Sequence, residues 1–583
     1  MTALQHFFDR LTAFLAANPL VGAWYTTVAR FIFPALALMI LVGAIRSLWQ
    51  VKNPDEVWAY LGMTDGERLP ITHWENIIGR ANACDVQLSF PSVSRQHAAL
   101  IREEDGSWVI YDLDSKGGVT VNDLPVDGYA LVQDHDIISF AGVPTVMIPI
   151  SAEEKREQIA ERRVEGRPKG MWGALILLTL FQALTAIQLI VSGGSETSVM
   201  VPLTFGIFTL VCWCYFILLR MFRRIGFEME TIAFFLCTLS LAVTGAVVPD
   251  ELPKQLVSIL MGIVFFLVLG FFLRDLQRAQ RVRWFMGAAA VGLLVITLLI
   301  GSSRGGAKAW IFLGPVSIQT SEIAKICYIF AGSATLDRLF NKRNLGLFIV
   351  LTGLCGGCLA LQNDFGTALV FFVTFLVIAY LRSGDFAVLG LVCAGCFLGG
   401  MVLLTFKSHV ASRFASWGHV WEDVYGAGFQ QTHTLTAAAS GGLIGVGAGK
   451  GWLSGLAAAD TDIVFGLLCE EWGLVIAALT VLCIITLAVF AVRACRAGRS
   501  SFYTIAACAA TSLLVFQTCL NVFGAVDILP FTGVTLPFVS NGGSSMLSAW
   551  GMLAFLKATD TRQNASFAVR LPSRRELRGD ETA

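Results

Sequence analysis

KQLVSILMGIVFFLVLGFFL (254–273), RDLQRAQRVR (274–283) and WFMGAAAVGLLVITLLIGS (284–302) follow one another without a gap. Each apolar run is long enough, as a helix, to cross the roughly 30 Å hydrocarbon core of a bilayer. The segment between them carries four arginines. The same pattern recurs at 27–48, 171–192, 199–220, 229–249, 320–338, 345–361, 366–382, 386–405, 463–492, 501–525 and 543–558, about thirteen spans in all. The expected fold class is therefore a polytopic α-helical membrane protein. Composition agrees: of 583 residues 55% are hydrophobic and 14% charged, against about 25% charged in soluble domains. Lys+Arg 42 against Asp+Glu 42 gives no net charge, which excludes a nucleic-acid-coating protein. The first span is long and lacks a small-residue cleavage site, so it reads as a helix and not as a cleaved signal.

Basic residues set the orientation. RMFRR (220–224), RDLQRAQRVR, DRLFNKR (337–343), VRACRAGR (492–499) and the tail RLPSRRELR fall on one side when the spans alternate. That side is expected to be cytoplasmic, with residues 50–170 inside and the 406–462 segment outside. Fourteen cysteines include the pairs Cys355/Cys358 and Cys393/Cys396. Both pairs sit in apolar runs, where a thiol behaves as a small hydrophobe, so no metal site is read there.

Residues 55–150 break the helical pattern. Short alternating runs such as DVQLSF, WVIYDL and TVMIPI, separated by turn residues, predict an all-β sandwich. IIGR (77–80), DVQLSFPSVSRQHAAL (85–100) and DLDSKGGVTVND (112–123) resemble the blocks of a forkhead-associated (FHA) domain, with Gly117 where that family carries Asn. The resemblance implies phosphothreonine-peptide binding, with Arg80 and Ser94 on the phosphate and Arg95 and Lys116 beside it. His97 is expected to pin the Ser94 loop. The charged run 152–170 reads as a solvated helix leading to the membrane, with its basic side chains near lipid headgroups.

Ionisable residues at membrane depth are functional candidates. Glu322 and Lys325 sit at i, i+3 at the start of a span, Asp364 opens another, Arg413 lies in the outer segment, and Asp462, Glu470 and Glu471 are read as beginning a long helix. The outer segment is dense in glycine between 426 and 455, which permits close backbone approach.

GAKAWIFLGPVSIQTSEIAK (306–325), LQNDFGTAL (361–369), GAGFQQTHTLTAAASGGLIGVG (426–447), DTDIVFGLLCEEWG (460–473) and ILPFTGVTLPFVSNGGSS (528–545) resemble, in order, the blocks of the SEDS family, the FtsW/RodA/SpoVE-type peptidoglycan glycosyltransferases. The resemblance implies a ten-helix SEDS core over 228–560 that polymerises lipid II, the undecaprenyl-diphosphate-linked disaccharide-peptide, on the outer membrane face. It makes Asp462 the essential residue, a base for the attacking sugar hydroxyl. Arg413 is the candidate for the pyrophosphate, with Lys325, Glu322, Asp364, Gln430 and His433 as further substrate-binding candidates. A divalent cation, magnesium or manganese, is left open. Thr320, Ala309, Asn363, His433 and Asn541 depart from the family pattern.

The expected layout is a segment 1–26, a first helix 27–49, the cytoplasmic FHA sandwich 55–150, a linker 151–170, two added helices 171–221, the core, and a cytoplasmic tail 561–583. Expected partners are a class B penicillin-binding transpeptidase and a phosphothreonine protein with a Ser/Thr kinase upstream. Two rival readings are a lipid II flippase and a non-catalytic scaffold of the cell-wall machinery. A flipping path would place essential charges at mid-depth, whereas Asp462 sits at the end of its span.

Overall fold

The computed structural model describes residues 10–560, apart from 11, 16, 51–56, 83, 104–105, 166–171, 195–197, 223, 225, 275, 305, 315, 335–341, 384–385, 407–412 and 497–499. The expected tail 561–583 and the end of the linker lie outside these residues.

Helices occupy every stretch read as a span: α1 (Pro19–Gln50), then, after the linker helix α2 (Ala152–Glu165), α3 (Trp172–Gly193), α4 (Met200–Met221), α5 (Glu228–Val247), α6 (Leu252–Phe272), α7 (Leu276–Ile300), α8 (Thr320–Ala334), α9 (Lys342–Leu361), α10 (Phe365–Ser383) and α11 (Phe386–Phe406). They continue as α12 (Phe429–Gly441), α13 (Val464–Glu471), α14 (Gly473–Arg496), α15 (Ser501–Ala525) and α16 (Gly543–Ala558). Among the described residues eight helices are long and apolar enough to cross a membrane, and shorter apolar helices lie at Leu345–Leu361, Phe365–Leu381 and Leu389–Met401. The chain is a multi-pass membrane protein. Trp550 of α16 marks the centre of the bundle: it is fully enclosed, against Phe234, Phe266 and Phe538. The added helices join this bundle, α1 packing on α3, α5 and α14, and α3 on α4 and α5.

Residues 59–149 form two antiparallel-rich sheets. With strands β1 (Ala59–Met63), β2 (Arg68–Ile71), β3 (Glu75–Gly79), β4 (Val86–Gln87), β5 (Ala98–Arg102), β6 (Trp108–Asp112), β7 (Val119–Val121), β8 (Leu124–Pro125), β9 (Tyr129–Val132), β10 (Ile137–Phe140) and β11 (Val143–Pro149), one sheet has the order β2-β1-β11-β10-β7-β8 and the other β4-β3-β5-β6-β9. Alternation buries Leu61, Ile78, Leu100, Ile110, Ile138 and Phe140 between the sheets. This sandwich meets the helices at Ser501, the first residue of α15, whose N–H (3.3 Å) and hydroxyl both donate to the Glu75 carboxylate.

Three expectations are corrected, and one unexpected element appears. The first helix begins at Pro19, not 27, because PLVGAWYT is apolar and uncharged enough to continue the turn. The expected outer segment is not all loop, since α12 folds within it. Between α7 and α8 lies a three-stranded sheet, β12 (Ser302–Arg304), β13 (Ala307–Leu313) and β14 (Val316–Gln319). The expected span 463–492 is broken after Trp472, so Glu470 and Glu471 close a short helix instead of opening a long one.

The break is steric. Gly473 has φ +85°, and a β-carbon there would stand 2.4 Å from both the Gly445 nitrogen and the Leu443 oxygen. Gly473→Ala is expected to cost about 1–3 kcal/mol, read as a lower unfolding midpoint in detergent; an unchanged midpoint would contradict this account of the break.

Candidate functional site

The site is built around the turn that enters α13. Ala458 adopts a left-handed backbone (φ +62°), and its carbonyl accepts the N–H groups of Thr461 (3.2 Å), Asp462 (3.0 Å) and Ile463 (3.3 Å). The carbonyls of Asp460, Thr461 and Asp462 each have their own donor. Asp460 O accepts the Asn541 N–H at 2.8 Å, Thr461 O the Ser540 hydroxyl at 2.7 Å, and Asp462 O the Asn521 amide at 2.9 Å. Asn541 Nδ2 also donates to Asp460 Oδ2 (2.8 Å) and Glu251 Oε2 (3.2 Å). The backbone of Asp462 is thus held from several sides, while its side chain is half-buried.

The segment 531–536 runs past this turn. Exposed Arg413 donates from Nη1 to Thr532 O at 3.4 Å. Asp462 Oδ2 lies 3.2 Å from where a β-carbon on Gly533 would stand. A carboxylate and a guanidinium therefore flank consecutive residues, whose α-carbons are about 3.8 Å apart. Asn521 donates to Val534 O (2.8 Å), and Gln517 to Thr535 O and Oγ1 (2.9 and 3.1 Å).

The other candidates are placed as follows. Lys325 Nζ bonds Glu322 Oε1 at 2.7 Å and Gln517 Oε1 at 3.2 Å, and both charged residues are enclosed, at 1% and 4% exposure. Lys325 lies inside the bundle and connects to the site through Gln517 and Thr535. Asp364 caps α10, its Oδ1 accepting the Thr367 N–H at 3.1 Å, and it is within Coulombic reach of Lys325 and Glu322. His433 and half-buried Gln430 lie on α12, which packs on α13 with Thr434 against Gly466. The His433 ring donates Nδ1–H to Phe429 O at 2.7 Å and packs between Phe429 and Trp452. Glu470, far from complementing a helix start, accepts the N–H groups of Trp452 (2.9 Å) and Leu453 (3.0 Å). Among the described residues no group of three or more His, Cys, Asp or Glu could hold a metal ion.

At one end of the β-sandwich a second constellation gathers. The Arg80 N–H donates to Ser94 O (3.0 Å) and the Lys116 N–H to Ser94 Oγ (3.1 Å), which leaves the Ser94 hydroxyl proton to be donated elsewhere. Arg80, Arg95 and Lys116 are exposed. Fully buried His97 accepts the Ser94 N–H on Nδ1 (3.0 Å) and meets Gly118 O through Nε2 (3.0 Å). Two fixed partners, one donor and one acceptor, require the Nε2–H tautomer. Gly117 has no room for the Asn of the FHA pattern, because a β-carbon there would stand 2.2 Å from Ala141 Cβ.

Two families match along the chain. The FtsW/RodA/SpoVE cell cycle protein family matches residues 213–565. The chain belongs to this family. An FHA domain matches residues 76–141, so the family core here carries an FHA domain ahead of it. The peptidoglycan glycosyltransferase RodA of Mycobacterium tuberculosis is 30% identical over 325 residues, covering 52% of this chain and 69% of that protein. The probable peptidoglycan glycosyltransferase FtsW of Coxiella burnetii is 31% identical over 339 residues, covering 56% and 85%. Among solved structures, a chain of a peptidoglycan synthase complex is 25% identical with a TM-score of 0.48, covering 58% of this chain and 98% of that one.

Reading the blocks of the FtsW/RodA/SpoVE core missed Gln517 and Asn521, which hold the site from α15. The signal was present: two amides at i, i+4 share one face of an uncharged helix. Lys325→Met alone is expected to cost about 3–5 kcal/mol by stranding Glu322, and the pair Glu322→Leu with Lys325→Met to recover most of it. Chemical unfolding in detergent checks this; equal losses in the single and double variants would refute it.

Proposed function

We propose that this chain is a peptidoglycan glycosyltransferase that polymerises lipid II on the outer face of the cytoplasmic membrane, with Asp462 as its base. The observation that carries the reading is the placement of a half-buried carboxylate on a braced turn, next to Arg413 across Thr532-Gly533. The sugar 4-hydroxyl of one lipid-linked disaccharide attacks the anomeric carbon of another. The new C–O bond forms as the bond to undecaprenyl pyrophosphate breaks. The hydroxyl proton passes to Asp462, and negative charge developing on the leaving pyrophosphate meets the Arg413 guanidinium. The product strand suits a class B penicillin-binding transpeptidase as partner, which would cross-link it.

The FHA domain lies, on this reading, on the cytoplasmic side and takes a threonine phosphorylated by a Ser/Thr kinase. Support comes from the gathering of Arg80, Ser94, Arg95 and Lys116 at one end of the sandwich, the Arg–phosphate bond being among the stronger charge-assisted pairs.

Reconstituted wild-type protein, with its transpeptidase, should form glycan polymer from purified lipid II. Asp462→Asn should lower the rate by about 10²–10⁴-fold with unchanged unfolding. A variant as active as wild type would sink Asp462 as base, and an inactive wild type would favour the scaffold reading. Separately, Arg80→Ala should weaken binding of phosphothreonine peptides by about 10–100-fold, the equivalent of about 1.5–3 kcal/mol, by calorimetry on the full chain; equal affinity would exclude Arg80 from the phosphate site.

A further inference from the structure

Helices α1 and α3, which flank the FHA domain in sequence, grip the glycine-rich loop between α12 and α13. Thr26 of α1 accepts from Lys450 Nζ (3.1 Å) and from Gln188 Nε2 of α3 (3.3 Å), and the same Gln188 amide donates to Ala448 O (3.3 Å). Gly447 sits so close to α1 that a β-carbon there would stand 2.6 Å from the Thr26 methyl. On its other side the loop is tied to the end of α13, the Val446 and Gly447 N–H groups donating to Glu470 O and Glu471 O, each at 2.9 Å. The loop is therefore held between the added helices and the short helix that begins two residues after Asp462.

A small cavity lies in this grip, lined by Arg30, Phe33, Gln188, Ile444, Gly447, Ala448, Glu471 and Trp472. Three of those residues carry buried polar atoms without a partner, Arg30 Nε, Trp472 Nε1 and Gln188 Oε1, and the Glu471 carboxylate is approached on the loop side by the Gly449 and Gly451 N–H groups. Gln188, Glu471 and Trp472 are each at most 2% exposed. The volume open to the centre of a water molecule is about 10 Å³, the lower edge of what one water needs. A bare cation would face the N–H groups of Arg30 and Trp472, and a bare anion would face Glu471. A water accepts from the first two and donates to Gln188 and Glu471, its full set of four bonds.

We propose that this cavity holds one water molecule, and that with Thr26 and Gln188 it clamps the glycine-rich loop, making those two side chains positioning residues for the turn that carries Asp462. The clamp gives the added helices a role that stands apart from the transferase reading.

Two measurements on the full chain in lipid nanodiscs test it. A high-resolution density map of the wild type should show one isolated peak in the cavity, hydrogen-bonded to Arg30, Trp472, Gln188 and Glu471; an empty cavity or a halide that exchanges with bromide would overturn it. Hydrogen exchange at the Val446 and Gly447 amides should quicken at least tenfold in Gln188→Leu and in Thr26→Val, and keep the wild-type rate in Thr26→Ser, with the FHA strands unchanged as a folding control. Wild-type rates in both Gln188→Leu and Thr26→Val would overturn the clamp. If Gln188→Leu fails to fold, Thr26→Val and the wild-type map decide. Neither readout requires catalysis, so an inactive wild type would remove the transferase reading and leave this one standing.

Discussion

Irregular backbone inside a bundle of apolar helices has to find its hydrogen bonds within the protein, because lipid offers none. The turn at 458–463 and the segment 526–542 are both of this kind, and each supplies the other's partners. Ser540 and the Asn541 main chain serve Thr461 and Asp460, while Asn521 serves Asp462 and Val534 together. The reciprocal arrangement leaves the Asp462 backbone little freedom without a regular helix or strand around it. It also explains why the bracing side chains are amides and hydroxyls: they satisfy carbonyls without bringing in a charge that would need its own counter-ion.

Two charge pairs in the interior are further hydrogen-bonded. Lys325 meets Glu322 and Gln517; Lys557 meets Glu230 and the Gly226 carbonyl. Such pairs add little net stability over apolar replacements, but each fixes which helices face one another. Lys557 ties the end of α16 to the start of α5, and Lys325 ties α8 to α15. The FHA sandwich uses a neutral version of the same device in His97, whose two ring nitrogens set the distance between the loops bearing Ser94 and Gly118.

The helical class, the inserted sandwich and the Glu322–Lys325 pair were legible because each follows a local rule: run length, alternation, and i, i+3 spacing. The break at Trp472-Gly473 was not legible, since a glycine in an apolar run reads equally well as continued helix; only the close approach of Leu443 and Gly445, distant in sequence, forces the turn. The same blindness put Glu470 at a helix start, when its carboxylate serves the N–H groups of Trp452 and Leu453 from a helix end. The departures from the family pattern also gain meaning only in three dimensions. Asn541, which replaces an aromatic residue, joins Asp460 to Glu251, and Thr320 meets Thr297 through their hydroxyls.

Helix α15 is anchored at both extremes, Ser501 on Glu75 of the FHA sandwich and Asn521 on the Asp462 carbonyl. Twenty residues of α-helix at 1.5 Å each make a strut about 30 Å long. A strut of that kind resists stretching and compression far better than the loops around it, so the separation between the sandwich and the Asp462 turn along this line is fixed. Any tilt or lift of the FHA domain relative to the bundle must either release the Glu75 contact or be carried, at full length, to the far end of the rod.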